Sequence, residues 1–294
     1  MKQIYTLLLG LAWLLLIPMV IAGDIGDVDS RDEGNPHSDK PTIVFGVVPQ
    51  QAASTLARKW SPLLNELSQR LPYQLQFATA PDIPTFEQRL AQGLYDVAYM
   101  NPYHYVVFHE PPTDYVALAK ERDKKLAGII VVQKQSPITD ISQLAGQTIA
   151  FPAPAAFAAS VIPRASLKQA KIDIASKYVG SHDSVYLAVS QGLVSAGGGV
   201  GRTFNNMPQS VRDQLRILWK TDGYTPHAFA THPRISIEQR QSLLNALLDI
   251  GRDDHTASLL KSLDFRSLEA ANDSDWDDVR ALSLGELSQP LQGQ

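Results

Sequence analysis

From Pro41 onward the chain alternates short apolar runs with amphipathic helical windows, and midway the cycle starts again. This alternation constrains the fold more than any single motif. Residues 42–48 form an almost unbroken, β-branched apolar run stopped by Pro49, as expected of a strand buried on both faces. Leu56, Trp60, Leu64, Leu67 and Leu71 then recur at spacings of three and four, one stripe of a helix, with Ser61-Pro62 as a cap-and-first-turn pair that could split it in two. A strand at 73–77, a helix from Asp82-Ile83-Pro84 to Gly93, a strand at 96–100 and a helix capped by Asn101-Pro102 follow. Strands at 115–119 and 128–133 end the first run. The second run has strands at 147–151, 177–180, 193–196 and 215–220, with helices at 160–169, 183–191 and 209–214 between them. After 228–231, Ser236 opens a helix with Gln239 in the capping-box position and Gly251 as its stop, and everything beyond Ile235 reads as helix.

Strand–helix alternation means parallel sheets with helices on both sides, and two such runs mean two α/β lobes. Ligands of open α/β sheets sit beyond the carboxyl ends of the strands, so two facing lobes enclose a shared cleft. That is the architecture of a clamshell binding protein. The expected division is lobe 1 over 41–134, lobe 2 over 135–224, and a return to lobe 1 with C-terminal helices over 225–294. Hinge strands are expected near 132–136 and 224–230.

The N-terminus indicates the compartment. Met1-Lys2 is followed by an uncharged stretch over 7–22 that contains Pro18 and ends in small or neutral residues, a signal peptide with cleavage expected after Ala22. The alternative is an uncleaved anchor, since the stretch is nearly long enough to span a bilayer. Six acids within 23–40 mark an acidic, solvated tether. Cleavage removes one lysine and no acid, so a formal charge of −4 on 294 residues becomes −5 on 272. Such a balance argues against a dedicated nucleic-acid binder. The absence of cysteine excludes disulfides, thiol chemistry, cysteine-ligated metals and a lipid anchor at the cut.

The strand ends name the candidate ligand residues: Gln50, then Tyr99, Asn101, Tyr103 and Tyr105, then Ala156, Phe157 and Ala158, then His182 and His227. The 99–105 cluster sets amphipathic rings and an amide at a helix N-terminus, where free N–H groups attract anions. Catalytic and metal motifs do not assemble. His104 and His109 lie five apart, a poor spacing for one metal on a helix. The run Ala196-Gly197-Gly198-Gly199-Val200-Gly201 has Arg202 where a dinucleotide fingerprint needs glycine, so it reads as a loop or a close backbone approach. Ser181-His182-Asp183 are adjacent rather than converging, unlike a triad. No cofactor and no enzyme activity are expected.

In Asp96-Val97-Ala98-Tyr99-Met100, Ser136-Pro137-Ile138, Val161-Ile162-Pro163, Gly180-Ser181-His182-Asp183-Ser184 and Trp219-Lys220, the chain resembles the phosphate/phosphite/phosphonate-binding proteins of ABC importers. The resemblance implies an α/β, two-lobed type II periplasmic-binding-protein clamshell with mixed, mostly parallel sheets flanked by helices. It implies an exported, periplasmic, monomeric protein that captures a small ligand for an ABC permease, with signalling to a membrane sensor kinase as the alternative. Members of the family usually carry Ser-Thr-Ser-Gly where this chain has Ala156-Phe157-Ala158-Ala159, an acid where it has His227, and often tyrosines where it has Ile83 and Leu126. His182 is retained. The scaffold therefore implies an oxyanion binder, while the pocket implies a less charged ligand.

Overall fold

The computed structural model describes residues 40–253 and 255–282. The expected signal peptide and the tether up to its last residue lie outside the described residues. That last residue, Lys40, is not simply solvated: its Nζ donates to the carbonyls of Ser68 and Leu71 at 2.8 and 2.7 Å, where the first helix leaves acceptors without partners.

The chain order is β1 (Thr42–Val47), α1 (Ala53–Arg70), β2 (Gln74–Ala78), α2 (Ile83–Ala91), β3 (Val97–Met100), α3 (Pro102–His109), β4 (Val116–Glu121) and β5 (Gly128–Gln133). It continues with β6 (Thr148–Phe151), a π-helical turn (Phe157–Val161), α4 (Ile162–Gln169), β7 (Ala175–Tyr178), α5 (His182–Ser190), β8 (Ala196–Val200), α6 (Gly201–Asn205), α7 (Gln209–Arg212) and β9 (Leu215–Lys220). Last come β10 (Ala228–Thr231), α8 (Ile237–Ile250), α9 (Ala257–Ser262), β11 (Leu268–Ala270) and α10 (Asp277–Arg280).

The strands form two sheets, ordered β11-β4-β10-β3-β1-β2 and β7-β6-β8-β5-β9. Where a helix links successive strands the ladders run parallel, in β2-β1-β3 and β7-β6-β8. β4, β5, β9, β10 and β11 make the antiparallel ladders that complete a mixed α/β architecture.

The apolar stripe of α1 is buried as expected, with Leu56, Trp60, Leu64 and Leu67 at most 5% exposed. The helix runs through Pro62 without dividing. Trp60 anchors an aromatic cluster with Phe45, Tyr99, Phe229 and Phe265 at ring separations of 4.8–6.1 Å. Burying each such side chain contributes about 1.5–3 kcal/mol, so this cluster fixes the floor on which β3 and β10 stand.

Three expectations need correction. β5, assigned to the first lobe by a division at 134/135, pairs with β8 and β9 in the second sheet. The chain therefore crosses between sheets over 122–127 and 221–227, and these segments touch through paired N–H···O=C bonds between Leu126 and Tyr224. The first segment expected as a hinge, 132–136, begins inside β5 and is not a crossing between the sheets. β8 is a central strand rather than a loop. A Cβ on Gly197 would meet Val185 at 2.5 Å, on Gly198 the Ala159 carbonyl at 2.0 Å, and on Gly199 the Tyr186 hydroxyl at 2.1 Å. The glycines let flanking helices press against a sheet. Beyond Ile235 the chain is not all helix, since β11 pairs with β4.

Candidate functional site

Side chains and backbone from both sheets meet at the carboxyl ends of the parallel strands. Val48 and Gln50 follow β1, Asn101 follows β3, and His227 precedes β10, which runs the opposite way. From the other sheet come Ala156–Ala159 after β6, His182 after β7 and Val200 at the end of β8. Ile83, at the start of α2, and Leu126, on the crossing segment, close the wall. The cavity they enclose is about 10 Å³, room for roughly one water molecule by the same measure.

Two helix caps border this site. The Asn101 carboxamide oxygen accepts from the His104 N–H at 2.8 Å, while its Nδ2 donates to the Ala155 carbonyl at 3.1 Å, so one residue caps α3 and bridges to the second sheet's loop. The Ser181 hydroxyl accepts from the Ser184 N–H at 3.1 Å and caps α5, which places His182 in its first turn.

Gln50 Nε2 lies 2.9 Å from His227 Nε2. With the amide group donating, His227 accepts there and carries its proton on Nδ1, an assignment set by the amide orientation. That Nδ1 is buried and has no hydrogen-bond partner among the described residues, and His227 itself is only 3% exposed. The ring stacks on Tyr99 at 5.0 Å and 14°. His182 Nδ1 lies 3.3 Å from the Thr203 hydroxyl, which in turn lies 2.8 Å from the Tyr186 hydroxyl. Burial pushes His182 down to about 4. Burial also holds His227 well below its usual value, and the neighbouring Arg202, His104 and His182 add to the effect. Both imidazoles are therefore neutral at pH 7. Among the described residues no Lys, Arg, Asp or Glu lines the cavity.

The turn after Ala156 is π-helical because Pro163 has no N–H to donate to the carbonyls behind it. Ser160 and Val161 both donate to the Ala156 carbonyl, at 2.7 and 3.2 Å, and Ile162 to that of Phe157. The N–H groups of Phe157, Ala158 and Ala159 have no acceptor within the helix, which leaves them available at the cavity. The stranded carbonyls pack against Gly128 and Gly198, where a Cβ would stand 2.0 Å away.

Of the expected residues, Gln50, Asn101, Ala156, Phe157, Ala158, His182 and His227 come together on this wall. Tyr99 lies behind His227 and faces a second cavity of about 30 Å³ that shares Val48 and Gln50 with the first. Tyr103 is buried but lines neither cavity. Tyr105 belongs to the core: its hydroxyl donates to Asp273 at 3.0 Å and its ring packs on Trp276 at 4.3 Å.

The second cavity holds residues that sequence reasoning missed, chiefly Lys59 and Arg202. Arg202 leaves the second sheet's α6 and reaches the first sheet's body, donating to the Leu263 carbonyl at 3.2 Å with its guanidinium 5.6 Å from the centre of the Phe265 ring. Its place directly after a glycine-rich strand end was the available signal. Among the described residues no three His, Asp or Glu gather to hold a metal. His104 turns to Glu87 at 3.4 Å and His109 to the Tyr115 carbonyl at 2.8 Å, away from each other.

Residues 45–276 match the family described as the periplasmic phosphonate substrate-binding protein of ABC transporters. The chain is 24% identical over 249 residues to the phosphate-import protein PhnD of Mycolicibacterium smegmatis, covering 77% of this chain and 76% of the relative. In fold it is similar to a phosphonate-transporter binding protein of Pseudomonas aeruginosa, at TM-score 0.76 and 18% identity over 84% of this chain and 87% of the other. It is also similar to PhnD1 of Prochlorococcus marinus, solved with methylphosphonate, at TM-score 0.74 and 16% identity over 82% and 97% of the two chains.

Proposed function

The chain belongs to the periplasmic substrate-binding proteins of phosphonate ABC transporters, and from that premise we infer that the cavity between its sheets captures a small solute for an ABC permease. The observation that carries this reading is the convergence of Gln50, Asn101 and His227 from one sheet's body with Phe157, Ala158 and His182 from the other's on one wall. A ligand there touches both bodies and favours the arrangement in which they meet. The crossing segments around Leu126 and Tyr224 are the hinge, the lobes being residues 41–121 with 228–282, and 128–220.

The solute is of the phosphonate or phosphate class or a less charged derivative. First-turn N–H groups, the two amides and two neutral imidazoles can hold an oxyanion, but three hydroxyl positions of the resembled family are methyl or benzyl groups here. Each lost bond to a charged group forfeits about 1.5–3 kcal/mol, so an oxyanion held by this turn alone binds weakly. The protein works as a monomer in the periplasm, released by cleavage after Ala22, and the family's role in transport favours a permease over a sensor kinase as partner.

A thermal-shift screen of oxyanions, phosphonates and small organic acids tests the reading. Ligand at a hundred times its Kd stabilises by about 2.7 kcal/mol, and His227→Ala should abolish the shift. A shift that survives both His227→Ala and His182→Ala would place the ligand elsewhere.

A further inference from the structure

The cleft divides its chemistry between two adjoining compartments. The first has histidines, amides and apolar walls, with no charged side chain. The second, beyond the shared wall of Val48 and Gln50, is the larger and is lined by Lys59, Arg202 and the Tyr99 ring. Lys59 projects from α1, is half-buried, and makes no ion pair or hydrogen bond among the described residues. Arg202 donates to the Leu263 carbonyl and also meets the Tyr99 hydroxyl, which leaves the rest of its five donors for other partners. Asp264 is the one acid lining this compartment, and it too makes no ion pair within the described residues. The field of Glu121 reaches the guanidinium as well.

A buried anion is stable only against a counter-charge or a full set of donors. The first compartment has the partial charges of a helix turn, whereas the second has two cations. We propose that the ligand's negative group lies in the second compartment, against Lys59 and Arg202, while its uncharged body occupies the histidine compartment. The ligand is then a small organic anion, one acidic group on a short uncharged body, rather than a bare inorganic oxyanion. Tyr99 couples the halves: its ring stacks on His227, and its hydroxyl lies beside Arg202.

This inference rests on the cleft being the ligand site, and its test separates the two. Ethylphosphonate and inorganic phosphate are titrated calorimetrically into the wild type, Lys59→Met, Lys59→Arg and His227→Ala. The wild type should bind ethylphosphonate at least about tenfold more tightly than phosphate, and Lys59→Met should weaken ethylphosphonate by about tenfold, the effect of one charge-assisted hydrogen bond. Lys59→Arg should restore most of the affinity, with thermal stability unchanged in both Lys59 variants. If Lys59→Met binds ethylphosphonate normally while His227→Ala does not, the cationic subsite is refuted and the cleft reading stands. If neither variant weakens binding, both are refuted. A wild type that binds phosphate as tightly as ethylphosphonate, or binds neither, also overturns the inference.

Discussion

Acidification should loosen this protein through a cleft residue, and the size of the effect follows from the geometry. His182 is 3% exposed, and its Nδ1 faces only the Thr203 hydroxyl. Burial lowers its pKa from 6.5 to about 4. In the unfolded chain the imidazole titrates near 6.5, so between these values the unfolded state binds a proton that the folded state refuses. Stability therefore rises with pH across this window, is fully present above about 6.5, and is lost progressively down to about 4. At pH 4.5 the loss from His182 alone is about 2.5 kcal/mol relative to pH 7.5, from linkage arithmetic. His227, lowered well below its usual value for the same leading reason, adds in the same direction. The assay is urea denaturation at half-unit pH steps, with His182→Gln beside the wild type. Near pH 5.25 the wild type should take up about 0.9 more protons on unfolding than the variant. Equal slopes for the two proteins would refute a buried, neutral His182.

Three further outcomes follow from contacts. Gly198→Ala places a Cβ 2.0 Å from the Ala159 carbonyl oxygen and 2.6 Å from Phe151, and should destabilise by about 1–3 kcal/mol in chemical denaturation. Asn101→Ala removes both the α3 cap and the bond to the Ala155 carbonyl; it should cost about 1 kcal/mol of stability for the cap and weaken any ligand that bridges the cleft. Restoring hydroxyls by Ala156→Ser with Phe157→Thr and Ala158→Ser should rebuild an oxyanion site at the turn and tighten inorganic phosphate binding by about a hundredfold if two bonds are regained, read by calorimetry.

Local chemistry was plain in the sequence. Asn101 and Ser236 cap helices where their neighbours said they would, and Asp82 caps the helix expected to start there. These motifs close within four residues, so no distant partner decides them. Long-range pairing was less legible. β5 reads as an apolar strand anywhere, and only its ladder partners assign it to the second sheet. β8 escaped because its three glycines lack the side chains that mark a strand, and their reason lies in residues up to 47 positions away. The segments expected at the strand ends line the cavity between the sheets, whereas Tyr105 lies in the core. Its ring serves Trp276 and Asp273, which return from the far end of the chain. Arg202 was noticed only for spoiling a phosphate-loop pattern, although its reach across the cleft is what that position supplies.

The central claim is that ligand capture brings the two lobes together. Because the chain has no cysteine, a pair introduced at the exposed Gln88 on α2 and Gln169 on α4 can be labelled without background for single-molecule energy transfer. Saturating ethylphosphonate should shift the labelled protein towards one high-transfer population, and His227→Ala in the same background should need a much higher concentration to do so. A transfer distribution that stays unchanged while calorimetry shows the ligand bound would contradict the account.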